Sequence, residues 1–298
     1  MGSTTTSASS KTRRCCSSRR AGSTGQPTAS RRGAWDALFD QYGTRGWARL
    51  FPTAIVDYIT LNNSKGPFAD VNARKAIAWG IDRSRIPSVF GRYGRTPQCS
   101  LLTPAVPGYK RCTVYPNTPD LARARSLASG HLHDRINYWY TSSTSGPQIQ
   151  QLVTAQLRAI GFDNIEHRPF SSGVFTALGR RGNNYDLAVV GWAAYFPDPY
   201  GYVNTLLSGD TIRDVLNTNT AYFNDPEANR LMRDAAQLRG QKRLEAYGKL
   251  DLLIQGRWAP IVVLGRRNDR AFFSARIDTK SIVQSPVYGL DLGRLALR

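Results

Sequence analysis

The stretch that decides the fold is residues 62–85, NNSKGPFADVNARKAIAWGIDRSR. Asp70 is placed to cap the N-terminus of a helix that ends at Gly80, and Asp82 is placed to cap a second, shorter helix. One side of the first helix carries a mainly apolar stripe at helical spacing, made of Val71, Arg74, Ile77 and Ile81. The pattern predicts a helix that is packed along one side against a core.

Strand and helix patterns alternate around this stretch. Residues 54–61 (AIVDYITL), 135–141 (RINYWYT) and 185–192 (YDLAVVGW) are rich in β-branched and aromatic residues, which predicts strands. A helix that begins at residues 145–147 leads to a further strand over residues 164–170. This alternation predicts an α/β fold, with a sheet and right-handed crossovers.

The C-terminal part of the sequence predicts two consecutive helices and then two strands. The first helix covers residues 225–240 and has Gly240 as its stop, and the second covers residues 243–254. Residues 259–264 (APIVVL) and 270–273 are the predicted strands, and a polar tail follows them.

The composition is that of a globular chain with a distinct basic start. The 298 residues are 41% hydrophobic and carry a formal net charge of +19, and no apolar run approaches the length of a transmembrane helix. Residues 1–33 contain seven basic residues, no acidic residue and almost no apolar side chain. We expect this segment to be disordered, and it has no apolar core of the kind that defines a signal peptide.

Cysteine and histidine suggest little chemistry. Cys99 and Cys112 are 13 residues apart in a loop-rich stretch, and a disulfide between them and two buried thiols are both open interpretations. His131 and His133 lie two residues apart without a third ligand in the pattern, so no metal site is predicted. The sequence has no phosphate-binding loop, nucleophile elbow or zinc-protease motif, and no enzymatic activity is expected.

Four segments resemble one protein family. Residues 62–85 resemble the signature "PFdDvrVRkAiayaiDR" of family 5 extracytoplasmic solute-binding proteins. Residues 185–199 (YDLAVVGWAAYFPDP), 223–232 (FNDPEANRLM) and 243–262 (RLEAYGKLDLLIQGRWAPIV) match further segments of that family, in the family's order. The resemblance extends over residues 54–275.

This resemblance implies the type II periplasmic-binding-protein fold, in which a ligand is enclosed between two lobes joined by crossing strands. Members are the peptide- and nickel-type binding components of ABC importers and act outside the cytoplasmic membrane. The implied function is the binding of a solute, foremost a peptide, and the implied partners are the permease subunits of the importer. No cofactor and no transmembrane segment are implied, and the implied location is the periplasm or the extracytoplasmic cell envelope.

The matching part corresponds to the C-terminal half of family members. We therefore expect a disordered segment over residues 1–33 and a remnant of the first lobe with one crossing strand over residues 34–61. Residues 62–258 are expected to form the second lobe, and residues 259–298 the returning crossing strand and a tail. Most of the first lobe has no counterpart, which predicts a truncated chain, a wrongly chosen start, or another half encoded elsewhere.

The predicted ligand-binding residues are Gly191, Trp192, Ala193 and Tyr195, beside the expected cleft. Small residues such as Gly191 and Ala193 let an extended peptide approach a strand end and form main-chain hydrogen bonds. In the oligopeptide-binding branch of the family, the residue three after this Trp is an Asp that pairs with the ammonium group of the peptide. The position is Tyr195 here, and a phenol carries no charge at neutral pH.

The sequence leaves two other classes of function to consider, a nucleic-acid-binding protein and an enzyme. The basic composition permits nucleic-acid binding through the Arg-rich start, which we keep as the alternative. An enzyme could pair the carboxylates of Asp186, Asp198 and Asp210, but the sequence marks no base or metal ligand beside them.

Overall fold

The computed structural model describes residues 29–298 of the chain. Its helices are α1 Ala29–Gly43, α2 Val71–Gly80, α3 Ile86–Phe90, α4 Leu121–Ala128, α5 Gly146–Ile160, α6 Val174–Leu178, α7 Tyr200–Leu207, α8 Pro226–Gln237 and α9 Gly240–Arg257. Its strands are β1 Ala48–Leu61, β2 Arg95–Pro97, β3 Ile136–Thr141, β4 Ile165–Phe170, β5 Leu187–Ala193, β6 Ile261–Phe272, β7 Gln284–Ser285 and β8 Gly289–Leu290. The segment over residues 1–33 is predicted to be disordered, and residues 1–28 of it lie outside the described residues. Residues 29–33 differ from the prediction, because they form the start of helix α1.

Six strands form one mixed sheet in the order β2-β6-β1-β5-β3-β4. Strands β3, β4 and β5 run parallel to one another, whereas β1 runs antiparallel to both of its neighbours, β5 and β6. The long strands β1 and β6, of 14 and 12 residues, lie side by side over most of their length. Helices alternate with the parallel strands, so the predicted α/β class is confirmed.

The two faces of the sheet carry separate cores, because successive side chains of a strand point to opposite faces. On one face Tyr58 of β1 and Val190 of β5 pack with helices α7, α8 and α9. On the other face Ile59 of β1 and Leu187 of β5 pack with helices α2, α4 and α5. Strand β5 is therefore covered on both sides, as its nearly continuous apolar sequence predicts.

The deciding stretch folds as its sequence predicts. The side chain of Asp70 accepts a hydrogen bond of 2.9 Å from the backbone N–H of Asn72 and caps helix α2. Asp82 caps the following turn by accepting from the N–H of Ser84 at 3.0 Å. Both caps satisfy backbone donors that a helix start leaves without partners.

Two predictions about the C-terminal part were wrong, and one helix was not predicted. Gly240 does not end a helix but begins α9, because its φ of 55° lets the chain turn directly from the end of α8. The two predicted strands are one strand, β6, because residues 265–269 continue the pairing with β1 and with β2. Helix α7 was missed, since Tyr200-Gly201-Tyr202 has low helix propensity and is held in place by tertiary packing instead.

Two arginines of the deciding stretch lie inside the protein. Arg74 and Arg83 are both buried, and neither forms an ion pair with any described residue. Arg74 donates from Nε to the carbonyl oxygen of Trp258 at 3.0 Å, and from Nη1 to that of Phe68 at 2.8 Å. Both arginines donate to backbone carbonyls, and they tie helix α2 and the turn after it to segments that are distant in sequence.

Candidate functional site

A groove of about 490 Å³ opens where the parallel strands end. The carboxyl ends of β3 and β5, the N-terminus of α5 and the middle of β1 and β6 all line it. The residues that determine its chemistry are Asp57, Arg95, Ser145, Phe175, Gly191 and Arg267. In open α/β sheets, ligands bind in such crevices outside the carboxyl ends of the strands.

The groove contains a cluster of one carboxylate and two guanidinium groups. Asp57 is almost fully buried, and one of its oxygens accepts from Arg267 Nη2 at 2.7 Å and from Arg267 Nε at 3.0 Å. The other oxygen accepts from Nε of Arg95, whose side chain is 15% exposed. Burial lowers the pKa of Arg95, and the charge of Asp57 opposes this effect.

Gly191 makes room for this cluster. A Cβ atom at Gly191 would stand 2.5 Å from Arg267 Nη2 and 2.8 Å from an oxygen of Asp57, which is closer than side-chain atoms approach. The absent side chain therefore lets the guanidinium group of Arg267 lie against strand β5. Gly191, which is predicted to let a ligand approach the strand, thus also makes room for a side chain of the protein itself.

The N-terminus of helix α5 faces the same groove. Ser145 and Gly146 line it, and the side chain of Ser145 forms no capping hydrogen bond with a described residue. The first turn of α5 contains no acidic residue. The positive end of the helix dipole therefore adds to the charge of the two arginines.

Of the four predicted ligand-binding residues, Gly191 lines the groove and the other three do not. Trp192 points to the opposite face of β5, donates from its indole N–H to the carbonyl oxygen of Gly201 at 2.8 Å and stacks on Phe175. Ala193 is exposed at the end of the strand, and the side chain of Tyr195 is 83% exposed beyond it. A role of these four residues in ligand binding stays a prediction.

The amino-acid pattern did not predict the ionic cluster of the groove. Asp57 did give a signal, because it is a single charge inside the otherwise apolar run AIVDYITL. Its partners Arg95 and Arg267 are 38 and 210 residues away along the chain, so no local pattern links the three residues.

Comparison with known proteins identifies the family. The model of the family described as bacterial extracellular solute-binding proteins, family 5 (middle), matches residues 25–214, which is more than half of the chain. The chain belongs to this family. The predicted family is thereby confirmed, and two of the four segments that resemble it, residues 62–85 and 185–199, lie within this match.

Curated relatives are similar to this chain over part of their own length. Heme-binding protein A of Haemophilus influenzae is 24% identical over 246 residues, which are 79% of this chain and 43% of the relative. The periplasmic oligopeptide-binding protein OppA of Salmonella typhimurium is 25% identical over 217 residues, 68% of this chain and 38% of the relative. The chain thus spans about two fifths of the length of these relatives.

Solved structures share the fold of this chain. HbpA2 from Haemophilus parasuis aligns with a TM-score of 0.76 at 20% identity, over 92% of this chain and 57% of that one. DppA from Helicobacter pylori, in complex with the peptide STSA, aligns with a TM-score of 0.69 at 20% identity, over 88% of this chain and 51% of that one. The fold is that of the type II periplasmic binding proteins.

The aspartates considered for an enzyme have structural partners in this family 5 chain. Asp198 forms a two-bond ion pair with Arg243 at 2.7 and 2.9 Å and accepts a hydrogen bond from the N–H of Tyr200 at 2.8 Å. Asp186 is buried and accepts from the N–H of Asn137 at 2.8 Å. Asp210 pairs with Arg233 on the surface. The three carboxylates are thus held by separate neighbours.

The histidines that were weighed as metal ligands also bind carboxylates. Nδ1 of His131 lies 2.7 Å from Asp134, and Nε2 lies 3.2 Å from Asp70, the residue that caps α2. His133 pairs with Asp163 at the surface. Within residues 29–298, no group of three or more His, Cys, Asp or Glu residues is arranged to hold a metal ion.

The contacts of His131 predict a pH-dependent stability. The hydrogen bond to Asp134, and then that to Asp70, raise the pKa of His131 above its usual value. Because the folded pKa is raised, this stabilisation is complete below about pH 6.5 and is lost as the pH rises through the folded pKa. We expect His131→Gln to lower the free energy of unfolding by up to about 1 kcal/mol at pH 5.5 and by less at pH 8.5.

Urea unfolding at both pH values measures this difference. His133→Gln is the control, because the side chain of His133 is 86% exposed. Equal losses for His131→Gln at the two pH values would contradict the prediction.

Two further structural features concern the cysteines and the length of the helices. Cys99 and Cys112 are joined in a disulfide, with their Cα atoms 5.5 Å apart. In the part of the chain that the structure covers, no helix combines the length and the apolar character needed to cross a bilayer.

Proposed function

We propose that this chain is the solute-binding component of an ABC importer and that its solute is a peptide. The observation that carries the proposal is the groove at the carboxyl ends of β3 and β5, in a chain that belongs to family 5. Two relatives are described as binding oligopeptides and heme, and a similar structure holds the peptide STSA. Binding without chemical conversion fits a groove in which the carboxylate of Asp57 is already held by Arg95 and Arg267.

Strand β5 offers the main-chain groups that an extended peptide requires. Strand β3 pairs with β5 only through Tyr138 with Leu187 and Trp139 with Ala188. In the described part of the chain, residues 189–193 of β5 therefore have no strand neighbour on that side. An unpaired strand edge is a template on which a peptide forms main-chain hydrogen bonds. We propose that the peptide lies along these residues, beside Gly191, Trp192 and Ala193, and extends toward Tyr195.

Peptides with blocked backbone amides test this mode of binding. We expect trialanine to bind about tenfold more tightly than its analogue methylated on both backbone amide nitrogens, because methylation removes the donors for the strand edge. Isothermal titration calorimetry with the full 298-residue chain measures both affinities. Equal affinities would contradict the main-chain mode, and the absence of binding by either compound would contradict the peptide proposal.

The lobe organisation belongs to the same proposal. We propose that residues 62–258 form the second lobe, and that residues 34–61 and 259–298 provide the strands that cross between lobes. Strands β1 and β6 are long and pair with each other, as strands that cross together would. In this arrangement the solute closes the lobes, and the closed form docks on the permease subunits.

An extracytoplasmic location fits the disulfide. Disulfides persist in oxidising compartments such as the periplasm and are rare in the cytosol. The Cys99–Cys112 bond therefore supports a periplasmic or extracytoplasmic location for this chain. Nucleic-acid binding remains the alternative, and the described residues provide no specific observation in its favour. Arg74 and Arg83, for example, direct their guanidinium groups to buried carbonyls instead of to the surface.

A further inference from the structure

The groove has more positive than negative charge. Asp57 is the only acidic residue among the described residues that line it, and both Arg95 and Arg267 bind to that one carboxylate. One full positive charge is therefore left over. Because the groove is partly shielded from water, this charge is screened less than it would be on an open surface.

The two guanidinium groups are held before any solute arrives. Arg95 is fixed on three sides, by Asp57, by the carbonyl oxygen of Gly94 at 2.9 Å and by the ring of Phe90 at 4.2 Å from its central carbon. Arg267 is held by Asp57 through Nε and Nη2, against the space that Gly191 leaves. A binding group that is already fixed loses little conformational freedom when a ligand binds.

Donors remain on both arginines. Nη1 of Arg267 and Nη2 of Arg95 have no hydrogen-bond acceptor among the described residues. The start of α5 contributes further positive potential to the same space, without an acidic residue in its first turn. Arginine donors are suited to carboxylates by their planar geometry.

We propose that the groove selects its solute by a carboxylate group, which binds Arg267 and Arg95, and does not require a free amino terminus. This inference rests on the proposed function and specifies the chemical class of the solute. The second part follows from charge, because Asp57, the only carboxylate among the described residues of the groove, is already shared by two arginines. Tyr195, three residues after Trp192, likewise has no negative charge with which to bind an ammonium group.

Four forms of trialanine distinguish recognition of the carboxylate end of the solute from recognition of its amino end. The chain is titrated with the free peptide, its N-acetyl form, its C-terminal amide and the form blocked at both ends. We expect conversion of the carboxylate to the amide to weaken binding about tenfold, and acetylation of the amino end to weaken it less than about threefold. Calorimetry or ligand-detected NMR with the full chain measures the four affinities.

A variant tests whether the preference for the carboxylate arises in the groove. Arg267→Met is expected to reduce the ratio of acid to amide affinity at least about fivefold. Arg276→Met is the control, because it removes the same charge from an exposed position and should leave the ratio unchanged.

The outcomes distinguish this inference from the proposed function. Equal affinity for acid and amide in the unaltered chain would overturn the inference, even if Arg267→Met failed to fold, and would leave peptide binding in place. A loss of affinity of tenfold or more on acetylation would also overturn it. If none of the four forms binds, both the inference and the proposed peptide function are overturned.

Discussion

Replacing Arg83 with methionine is expected to lower the free energy of unfolding by about 4 kcal/mol. The side chain of Arg83 is 1% exposed, and it donates from Nε to the carbonyl oxygen of Val263 at 2.7 Å. It also donates from Nη1 to the carbonyl oxygens of Ala78 at 3.1 Å and Pro116 at 3.3 Å. Methionine fills a similar volume but leaves these buried acceptors without donors, and each such acceptor costs about 1–3 kcal/mol.

The control for this prediction is the arginine two positions further on. Arg85 lies in the same turn, but its side chain is exposed, so Arg85→Met should change the free energy of unfolding by less than about 0.5 kcal/mol. Urea unfolding of both variants, followed by circular dichroism, provides the comparison. A loss below about 1 kcal/mol for Arg83→Met would show that water replaces the guanidinium group at these carbonyls.

The sequence predicted the position of Arg74 better than its role. The helical stripe placed Arg74 on the buried side of α2, where the structure finds it. A charge on an apolar stripe normally indicates a nearby acid, but the partners here are backbone carbonyls at 2.8 and 3.0 Å. Every residue has a backbone carbonyl, so an amino-acid pattern does not show which carbonyl a side chain will bind. The tertiary structure was needed to identify these acceptors.

The fold was more predictable than the groove for a physical reason. Strands and helices depend on local periodicity and capping. Helix α2 is an example, because Asp70 caps it and its apolar stripe is largely buried, both as the sequence predicts. The groove depends on residues that the sheet brings together from three separate strands, β1, β2 and β6. Gly191 could be predicted to line the groove because a small residue at a strand end is a local sequence signal. Arg267 could not, because its place in the groove depends on its contact with Asp57, which is distant in sequence.

Removal of the disulfide between Cys99 and Cys112 is expected to lower the free energy of unfolding by about 3 kcal/mol. The two cysteines are separated by 13 residues, and closing a loop of that length restricts the unfolded chain by about this amount. Cys99 is buried and follows strand β2 by only two residues. Its loss therefore frees the end of the strand on which Arg95 is placed, and we expect the groove to be affected together with the stability.

The double variant Cys99→Ser with Cys112→Ser tests this most directly, because a reducing agent reaches a buried sulfur slowly. Cys15 and Cys16 are changed to serine in both the variant and its reference, so that no other thiol can exchange. Guanidinium unfolding without reductant measures the stability, and titration with trialanine measures the groove. If the denaturation midpoints coincide, the bond contributes nothing to folding. If only stability falls while the affinity for trialanine is kept, β2 is held in place by its pairing with β6, and the bond acts on the unfolded chain alone.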